Sequence, residues 1–421
     1  MQSDIPVYRI LSQHLLSYQA RHLVMLTGAR QTGKTTLALQ AFPNLRYVNL
    51  DLIETREQLR AVHSADWVAR VGPAILDEAQ KEPLVFDKVK AAFDSGALDT
   101  TVLLGSAQIL MLQKVRESLA GRVIVFDLWP LMANEIGWPR TAGPPPVPLL
   151  ELLLSQPGNA DALLGTVPNV LVGENATRAA LCIDHLLTWG GMPALLPLSE
   201  GDRRMWLQAY ETTYLERDLG DIARLADLMP FRQLQRIVAL RSGGLLNYGD
   251  VARDADLPAT TARRYTEYLR LSYQAILIPP YFSNLTSSIV KAPKVYWTDL
   301  GIWRQLTQYF GAPTGQMFET LVVTEIHKWL RSNGHSAQLY FYRTRSGREV
   351  DVVLTTHDGV WTIEIKSAKR LAPVDWRSVR EVGLTLGEAW RGGLVVYGGS
   401  TVEQLEENVW AIPVGRFLVA S

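Results

Sequence analysis

The sequence predicts an α/β fold, and three observations lead to that prediction. Five short apolar runs alternate with helical segments before residue 138, a pattern typical of a parallel sheet with helices on both faces. A tight helix-turn-helix pattern follows near residue 257. Further apolar runs after residue 338 alternate with period two and predict strands of a second α/β unit.

Size and composition exclude several classes of protein. The chain has 421 residues, enough for about three domains. Hydrophobic residues make up 47%, which excludes wholesale disorder. The 42 basic and 42 acidic residues give a net charge of zero, which argues against a chain that coats nucleic acid indiscriminately but permits a local basic patch.

The single cysteine and the absence of long apolar runs predict where in the cell the protein is found. Cys182 is the single cysteine, so neither an intramolecular disulfide nor a cysteine-based zinc site is possible, and we expect a buried helical thiol. No apolar run reaches the roughly 18 residues of a membrane span, and the first residues lack a signal-peptide pattern. We therefore expect a cytoplasmic protein without a membrane partner.

The first apolar run leads into a phosphate-binding motif. Residues 23–26 predict a buried strand, residues 28–35 match G-x-x-x-x-G-K-[ST], and a helix follows. Glycines let the backbone wrap a phosphate chain, and the helix N-terminus directs free N–H groups at it. Lys34 would reach the β- and γ-phosphates and the Thr35 hydroxyl would hold Mg²⁺, so ATP and Mg²⁺ are the predicted cofactors. The alternative is a glycine-rich turn that matches by chance. The predicted nucleotide contacts are Gly28, Ala29, Arg30, Gln31, Thr32, Gly33, Lys34, Thr35 and Thr36.

Polar residues end the third and fourth apolar runs. Asp77 would hold Mg²⁺ directly or through water, and Glu78 would orient the attacking water. The alternative is an exposed acidic strand end. Ser106 is a candidate to hydrogen-bond the water or the γ-phosphate, with Gln108 as the alternative. These residues would share the carboxyl edge of the sheet with the glycine-rich loop.

These motifs resemble those of AAA-plus ATPases, and more narrowly of prokaryotic ATPases whose C-terminal half has no known function. The resemblance implies a ring, which we expect to be a hexamer, in which one subunit's arginine completes the neighbour's site. Arg122 is the candidate, with Arg116 as an alternative. A surface arginine bonded within its own subunit is equally compatible with the sequence. The matching stretches are Thr27–Thr36, Ala74–Gln80, Leu104–Gln108, 118–122 and 215–219.

The chain divides into four predicted segments. A proline cluster at 141–148 marks the first boundary. The resemblance implies a helical lid after the sheet, and a helix over 202–219 carries an aromatic stripe that we expect to be core. The segments are 1–138 (ATPase core), 139–230 (insertion and lid), 231–312 (winged helix) and 313–421 (second α/β unit).

The third segment predicts a winged helix. Helices are expected over 231–240, 248–255 and 258–270, the last capped by Thr260 or Thr261, and strands over 275–278 and 294–297 would form the wing. Residues 231–304 hold ten basic and five acidic side chains, an excess of +5, as phosphate contact requires. The alternative is a winged helix used for protein packing. The predicted DNA contacts are Arg263, Arg264, Lys291 and Lys294.

The last segment places four polar residues close together. An amphipathic helix over 315–330 carries Glu319, and strands follow over 339–343, 347–354 and 360–366. Alternation puts Val350, Val352 and Leu354 on one strand face and Asp351 on the other. It also puts Glu364 and Lys366 opposite Ile363 and Ile365. Neighbouring strands would therefore bring Asp351, Glu364 and Lys366 together, with Glu319 approaching from the helix.

This set resembles the PD-(D/E)xK nuclease fold. The resemblance implies that Asp351 and Glu364 hold a second Mg²⁺, and that Lys366 stabilises developing charge. Val350 stands where the family's proline would be. The alternative is a domain that binds DNA or protein without cutting.

Taken together, the motifs predict an ATP-hydrolysing, DNA-processing protein, an oligomeric motor or remodeller whose substrates include branched DNA. The alternatives are a nucleotide-switch ATPase that regulates a protein partner, and an ATP-gated defence nuclease. DNA-stimulated ATP turnover and metal-dependent nicking would separate these three functions.

Overall fold

The computed structural model describes residues 7–17, 21–105, 118–223, 228–281, 292–344 and 347–420, with the side chains of 213–223 excepted. None of the helices in these ranges is long and apolar enough to cross a membrane.

The N-terminal sheet has five strands, and all of its strand pairs are parallel. The strands are β1 (His22–Thr27), β2 (Arg46–Asn49), β3 (Ala74–Asp77), β4 (Thr100–Gly105) and β5 (Val123–Asp127). Their order is β2-β3-β4-β1-β5, which confirms the predicted parallel sheet. Because β1 is an interior strand, flanked by β4 and β5, the loop that follows it lies between neighbouring strand ends at the carboxyl edge, where such sheets bind ligands.

Both faces of this sheet are covered. Leu23 and Met25 of β1 join one apolar cluster, and Val24 and Leu26 join another, as the period-two alternation of a strand requires. The covering helices are α1 (Leu11–Ser17), α2 (Lys34–Ala41), α3 (Ile53–Ala61), α4 (Trp67–Arg70) and α5 (Leu84–Asp94).

A helical region follows the sheet. Its helices are α6 (Leu149–Ser155), α7 (Ala160–Leu164), α8 (Gly173–Trp189) and α9 (Glu200–Ala223). Cys182 is buried on α8, and its thiol donates to the carbonyl of Ile136 at 3.1 Å, so it is the predicted buried helical thiol. In the stripe predicted for α9, Leu207 and Tyr210 are buried and Trp206 is half-buried, while the side chain of Tyr214 lies outside those described.

Three helices and a two-stranded antiparallel hairpin come next. They are α10 (Met229–Leu240), α11 (Tyr248–Asp254), α12 (Ala259–Leu271), β6 (Ala275–Ile278) and β7 (Lys294–Trp297). The predicted cap of α12 is wrong: the N-cap is Pro258, without a side-chain bond. Thr260 and Thr261 instead lie inside the first turn, because the proline's fixed φ already starts the helix. A winged helix remains a prediction for these elements.

The C-terminal part begins with α13 (Leu300–Thr307) and a second sheet. Its elements are α14 (Gly315–Ser332), β8 (Gln338–Arg343), β9 (Glu349–Thr355), β10 (Val360–Lys366), α15 (Arg377–Leu386), β11 (Trp390–Tyr397), β12 (Glu403–Glu406), β13 (Val409–Pro413) and α16 (Val414–Leu418). The sheet order is β12-β13-β11-β10-β9-β8, with β10, β11 and β13 mutually parallel.

Strand β9 contains an irregularity that changes how its side chains face. Its pairing with β8 passes from Tyr340↔Val353 to Tyr342↔Val350, so β9 has one residue more than β8 over this stretch. Val350 joins Val353 in one apolar cluster, whereas Val352 and Leu354 belong to another. The prediction that Val350 shares a face with Val352 and Leu354 is therefore wrong, because an extra residue reverses the alternation.

The segments predicted as separate domains share a core. One apolar cluster extends from Ile10 and Trp129 through the middle helices to Val419. The chain after β6 also contacts the second sheet, since the N–H of Tyr281 donates to the carbonyl of Phe341 at 2.6 Å. The β6–β7 hairpin is thus packed against the C-terminal sheet.

Candidate functional site

The predicted phosphate loop has the backbone geometry that its glycines permit. Gly28 has φ +153°, and a Cβ there would lie 2.2 Å from the carbonyl oxygen of Leu128, so only glycine fits. Gly33, at φ +93°, has open space around a Cβ. Helix α2 begins directly after it, and the N-terminus of a helix directs its first N–H groups at a bound anion.

Lys34 and Thr35 lie beside the end of β3. The Lys34 ammonium donates to the carbonyls of Gly28 and Ala29 at 3.0 and 2.8 Å. The Thr35 hydroxyl donates to Asp77 Oδ2 at 2.7 Å. Two oxygen donors suited to Mg²⁺ thus lie in contact beside the loop.

Glu78 adopts an unusual backbone conformation, with φ +55°. Such a conformation is uncommon for a residue other than glycine and occurs often at functional sites. Its carboxylate accepts a hydrogen bond from Gln80 Nε2 at 2.5 Å. Tyr47 donates to Asp77 Oδ2 at 2.9 Å, and burial, followed by the charge of Asp77, raises the pKa of Tyr47. The sequence did not indicate the part played by Tyr47, which lies outside the matched stretches. Gln80 ends the matched stretch Ala74–Gln80, but no role was predicted for it.

A buried ion pair supports the loop from the N-terminal segment. Arg9 donates to the carbonyls of Thr32 at 3.3 Å and Trp129 at 2.6 Å, and its Nε lies 3.4 Å from Glu135. Burial raises the pKa of Glu135, and Arg9 opposes that effect. No sequence motif marks this pair. A cavity of about 80 Å³ lies beside it, lined by Val7, Arg9, Thr32, Gly33, Thr36, Leu37, Gln40, Leu131 and Pro193.

Of the other residues predicted for the ATP site, some lie outside the described residues and one, Arg122, is described. Ser106, Gln108 and Arg116 lie outside the described residues. Arg122 forms two hydrogen bonds with Asp94 of the same chain, at 2.5 and 3.1 Å. Within one subunit, Arg122 is thus engaged away from the loop.

A further contact joins the sheet to the three-helix region. Tyr273 donates to Asp127 Oδ1 at 2.5 Å, and its hydroxyl lies 2.6 Å from Thr27 Oγ1. Thr27 and Asp127 end β1 and β5, next to the phosphate loop. Tyr273 has φ +63° and packs edge-on against Trp129 with ring centroids 5.0 Å apart. Tyr273 is far in sequence from Thr27, Asp127 and Trp129, so no local sequence pattern predicts these contacts.

The C-terminal carboxylates are brought together as predicted. They form what we call the carboxylate cluster: Glu319, Glu349, Asp351 and Glu364, with Lys294 and Lys366. Lys366 donates to Glu364 Oε1 at 2.7 Å. Asp351 Oδ2 accepts from the backbone N–H of Ile365 at 2.9 Å, a bond that the irregularity in β9 makes possible. Among the described residues, no group of three or more His, Cys, Asp or Glu side chains has the arrangement of a metal site.

Electrostatics in the cluster are unfavourable for ionised carboxyls. Burial, with Glu364 and Glu319 adding to it, raises the pKa of Asp351 well above its usual range. Burial also raises the pKa of Glu364, against the opposing effect of Lys366. Glu364 Oε2 is buried without a hydrogen-bond partner. The cluster therefore favours an additional positive charge or a proton.

The four residues that were predicted to contact DNA differ in where they lie in the structure. Arg263 and Arg264 are exposed on α12, and neither forms an ion pair within the described residues. Lys291 lies outside those residues. The prediction for Lys294 is wrong: it is 3% exposed and bonded to carboxylates, so it is not offered to DNA. Its place at the start of β7 directs it into the protein and not along the wing surface.

Comparison with known families divides the chain in three. Residues 20–137 match an AAA domain. Residues 182–312 match a domain of unknown function (DUF8612), and residues 314–417 match another (DUF4143).

Full-length similarity comes from proteins without a known function. Two relatives, both uncharacterized, are from Mycobacterium tuberculosis and Mycobacterium bovis. Each is 27% identical over 409 residues, which cover 94% of this chain and 81% of the relative.

Solved structures resemble the chain distantly. The Walker-type ATPase of Pyrococcus abyssi aligns with a TM-score of 0.41 at 16% identity, covering 71% of this chain and 93% of that one. A signal transduction ATPase with numerous domains (STAND) from Pyrococcus horikoshii aligns with a TM-score of 0.26 at 13% identity, covering 78% and 47%. Similarity this distant carries no inference about activity. The match of residues 20–137 to an AAA domain agrees with the loop geometry and with the Thr35–Asp77 contact, and together they support an N-terminal P-loop ATPase domain.

Proposed function

We propose that the protein hydrolyses ATP with Mg²⁺ and uses this turnover to process DNA as an oligomer. The observation that carries the proposal is the 2.7 Å hydrogen bond between Thr35 and Asp77. These are the two oxygen donors that phosphoryl transfer requires around the metal, and they lie beside the phosphate loop.

The residues present fit a nucleoside triphosphate. The N-terminus of α2 and the open space at Gly33 would receive the phosphates. The Lys34 ammonium, now on loop carbonyls, would exchange them for phosphate oxygens. Glu78, held by Gln80, would orient the attacking water. A bound Mg²⁺ would supply charge neutralisation on the phosphates. The cavity beside Arg9 would receive the base.

Two substitutions test the ATPase part. Lys34→Ala should weaken ATP binding, because a positive charge on the phosphates is lost. Glu78→Gln should bind ATP as the wild type does and turn it over at least about a hundredfold more slowly, since only water activation is removed. Binding is measured by calorimetry and turnover by phosphate release. The control is Glu57→Gln on the exposed face of α3, which should behave as wild type. Wild-type turnover by the Glu78→Gln protein would contradict the role of Glu78.

The basic face of α12 supports the DNA part of the proposal. Arg263 stacks over the ring of Tyr248, 5.2 Å from its centroid, and Arg264 lies beside it on the exposed face. Arg270, further along the helix, is neutralised by Glu267 at 2.5 Å. Two exposed guanidinium groups without carboxylate partners among the described residues suit phosphate contact.

The carboxylate cluster favours a second candidate function, an ATP-gated nuclease. The carboxylates do not lie in the arrangement of a metal site in the described structure, so Asp351 and Glu364, with Glu319, would have to rearrange to hold a divalent cation. Lys366 would then stabilise charge on the phosphodiester. The raised pKa of Asp351 and the unpartnered oxygen of Glu364 support a need for positive charge there. Nicking of plasmid DNA with Mn²⁺, lost in Asp351→Asn, would establish this activity. An absence of nicking under ATP turnover would leave the cluster as a binding site.

A further inference from the structure

A cavity of about 570 Å³ lies between helix α8 and the second sheet. Ser367 follows β10, Gly398 follows β11 and Val414 follows β13, and all three residues line it. These strands are mutually parallel, and parallel strands bind ligands at their carboxyl ends. The volume is typical of a small-molecule pocket, about 300–1,000 Å³. None of the lining residues belongs to the ATP site or to the carboxylate cluster.

Arg416 of α16 places a buried positive charge in the wall of this cavity. The residue is 2% exposed, and it forms no ion pair within the described part of the chain. Its Nη1 donates to the carbonyl of Pro168 at 2.8 Å. Its Nε is buried without a hydrogen-bond partner, and Nη2 has no partner among the residues that the structure describes. Because a buried charge without a counter-charge is costly, this arrangement favours a bound anion.

The unused side of the guanidinium fits a carboxylate. Nε and Nη2 lie on one edge of the group, and that edge donates two parallel hydrogen bonds to the two oxygens of a carboxylate. Lys369 also lines the cavity, with Asp184 as the acidic lining residue, which leaves an excess of one positive charge. A carboxylate neutralises this excess, whereas a phosphate group of about −1.5 to −2 charges overcompensates it.

The rest of the cavity suits an apolar body. Ala179, Ile183 and Leu187 recur at every fourth residue of α8 and line the cavity together with Phe318 of α14. All four side chains are buried. Residues four apart lie on the same face of a helix, so α8 offers the ligand a continuous apolar surface. An aliphatic chain beside the carboxylate would cover that surface.

We propose that this cavity binds a small aliphatic carboxylic acid in its ionised form. The carboxylate lies on the Nε–Nη2 edge of Arg416, and the aliphatic chain lies along α8. Lys369, which is exposed, attracts the ligand from solvent. A free fatty acid and the C-terminal residue of a peptide both carry this chemistry.

The test is isothermal titration calorimetry of the full chain with n-octanoate. Wild type should bind one equivalent, and 1-octanol, which lacks the charge, should bind at least about tenfold more weakly. Arg416→Met should weaken octanoate binding at least about tenfold, and Arg416→Lys, which keeps the charge without the planar edge, by less. Arg370→Met, at an exposed residue that does not line the cavity, is the control and should match wild type.

A second titration identifies the source of the carboxylate. It uses acetyl-alanyl-leucine, whose free carboxylate represents a peptide terminus, and its C-terminal amide, which should not bind. Tighter binding of this peptide than of octanoate assigns a peptide terminus, and the reverse assigns a free acid.

Three results would overturn the inference: wild type binding neither octanoate nor the peptide, equal affinity in Arg416→Met, or octyl phosphate binding more tightly than octanoate. ATP binding reports that each variant is folded. Arg416→Gln, which keeps a donor for Pro168, is titrated as well, so that a folding defect in Arg416→Met leaves the role of the charge testable. Wild-type affinity in Arg416→Gln would equally contradict the proposal.

Discussion

His327 is a residue whose environment sets a pH dependence. It belongs to α14 and is half-buried, and its ring packs edge-on against Trp129, with centroids 5.2 Å apart. Burial, with Arg331 and Lys328 adding to it, lowers the pKa of His327 to about 3. The unfolded chain therefore takes up a proton on this residue at a higher pH than the folded chain does.

The sign of the effect follows from that difference. Stability from neutral His327 is fully present above the unfolded pKa of about 6.5 and is lost as the pH falls toward the folded value. Between about pH 7 and about pH 5 the loss is about 2 kcal/mol. We expect His327→Gln to reduce the pH dependence of the unfolding free energy by this amount, measured by urea denaturation. His357→Gln, at a side chain that is 84% exposed, is the control. If the unfolding free energy of His327→Gln depends on pH as strongly as that of the wild type, His327 does not have the lowered pKa described above.

Residues of the phosphate loop were predictable, and their long-range supports were not. Lys34, Thr35 and Asp77 lie in short motifs whose spacing is dictated by the ligand. Arg9 and Lys294 act through partners that are distant in sequence, and a lone charged residue carries no sign of burial. Basic and acidic residues are equally common in this chain. A basic residue that is buried therefore cannot be distinguished, from the sequence, from the basic residues on the surface.

Among the helices and strands, α12 is the element that we propose contacts DNA. Its buried residues include Ala262, Tyr265 and Leu269, which recur with the period of a helix. This period leaves Arg263 and Arg264 outside, because positions next to a buried stripe turn toward solvent.

Replacing both arginines should weaken DNA binding. In Arg263→Ala/Arg264→Ala, each lost phosphate contact should lower the slope of log affinity against log salt by about one unit. Fluorescence anisotropy with labelled duplex at several salt concentrations measures that slope. Arg270→Ala on the same helix, already paired with Glu267, is the matched control and should leave it unchanged. Equal affinity and slope in the double variant would rule out this face.

Strand and helix positions were predictable because burial imposes its period on the sequence. The irregularity in β9 was not, since Val350 and Val352 are equally apolar and either could face either side. Only the partner strand fixes the register. The same extra residue directs Asp351 to the N–H of Ile365. The irregularity, which the sequence did not predict, therefore sets the position of Asp351, which the sequence did predict as a site residue.

For the whole molecule, the proposed assembly would place Arg122 at the ATP site of a neighbouring subunit. Its bonds to Asp94 occupy it within one subunit, and acting in trans would require exchanging this exposed pair for a neighbour's phosphate. Exposed ion pairs cost little to break, typically below about 1 kcal/mol.

Sedimentation tests assembly. With ATP, the Glu78→Gln protein should form a particle of ring size, which we expect to be a hexamer, because nucleotide persists in its site. Arg122→Ala should bind ATP but fail to hydrolyse it. Asp94→Ala, which frees Arg122, is the control and should retain hydrolysis. A monomer at micromolar concentration with ATP would remove the case for Arg122 in trans.

In the proposed function ATP turnover serves DNA, and the contacts of Tyr273 give this coupling a physical route. Tyr273 follows α12 and bonds to strand ends beside the phosphate loop. A shift of α12 on DNA would therefore reach the site of hydrolysis. Tyr273→Phe keeps the ring against Trp129 and removes only the hydroxyl, so it should bind ATP and DNA but lose stimulation. Tyr268→Phe on α12 is the matched control.

The most direct measurement is the steady-state rate of ATP hydrolysis with and without single-stranded, duplex and four-way DNA. We predict that at least one of these raises the wild-type rate several-fold, that Arg263→Ala/Arg264→Ala and Tyr273→Phe abolish the increase, and that Tyr268→Phe retains it. A wild-type rate that no form of DNA changes, in a protein that hydrolyses ATP, would contradict the claim and leave a nucleotide switch acting on a protein partner.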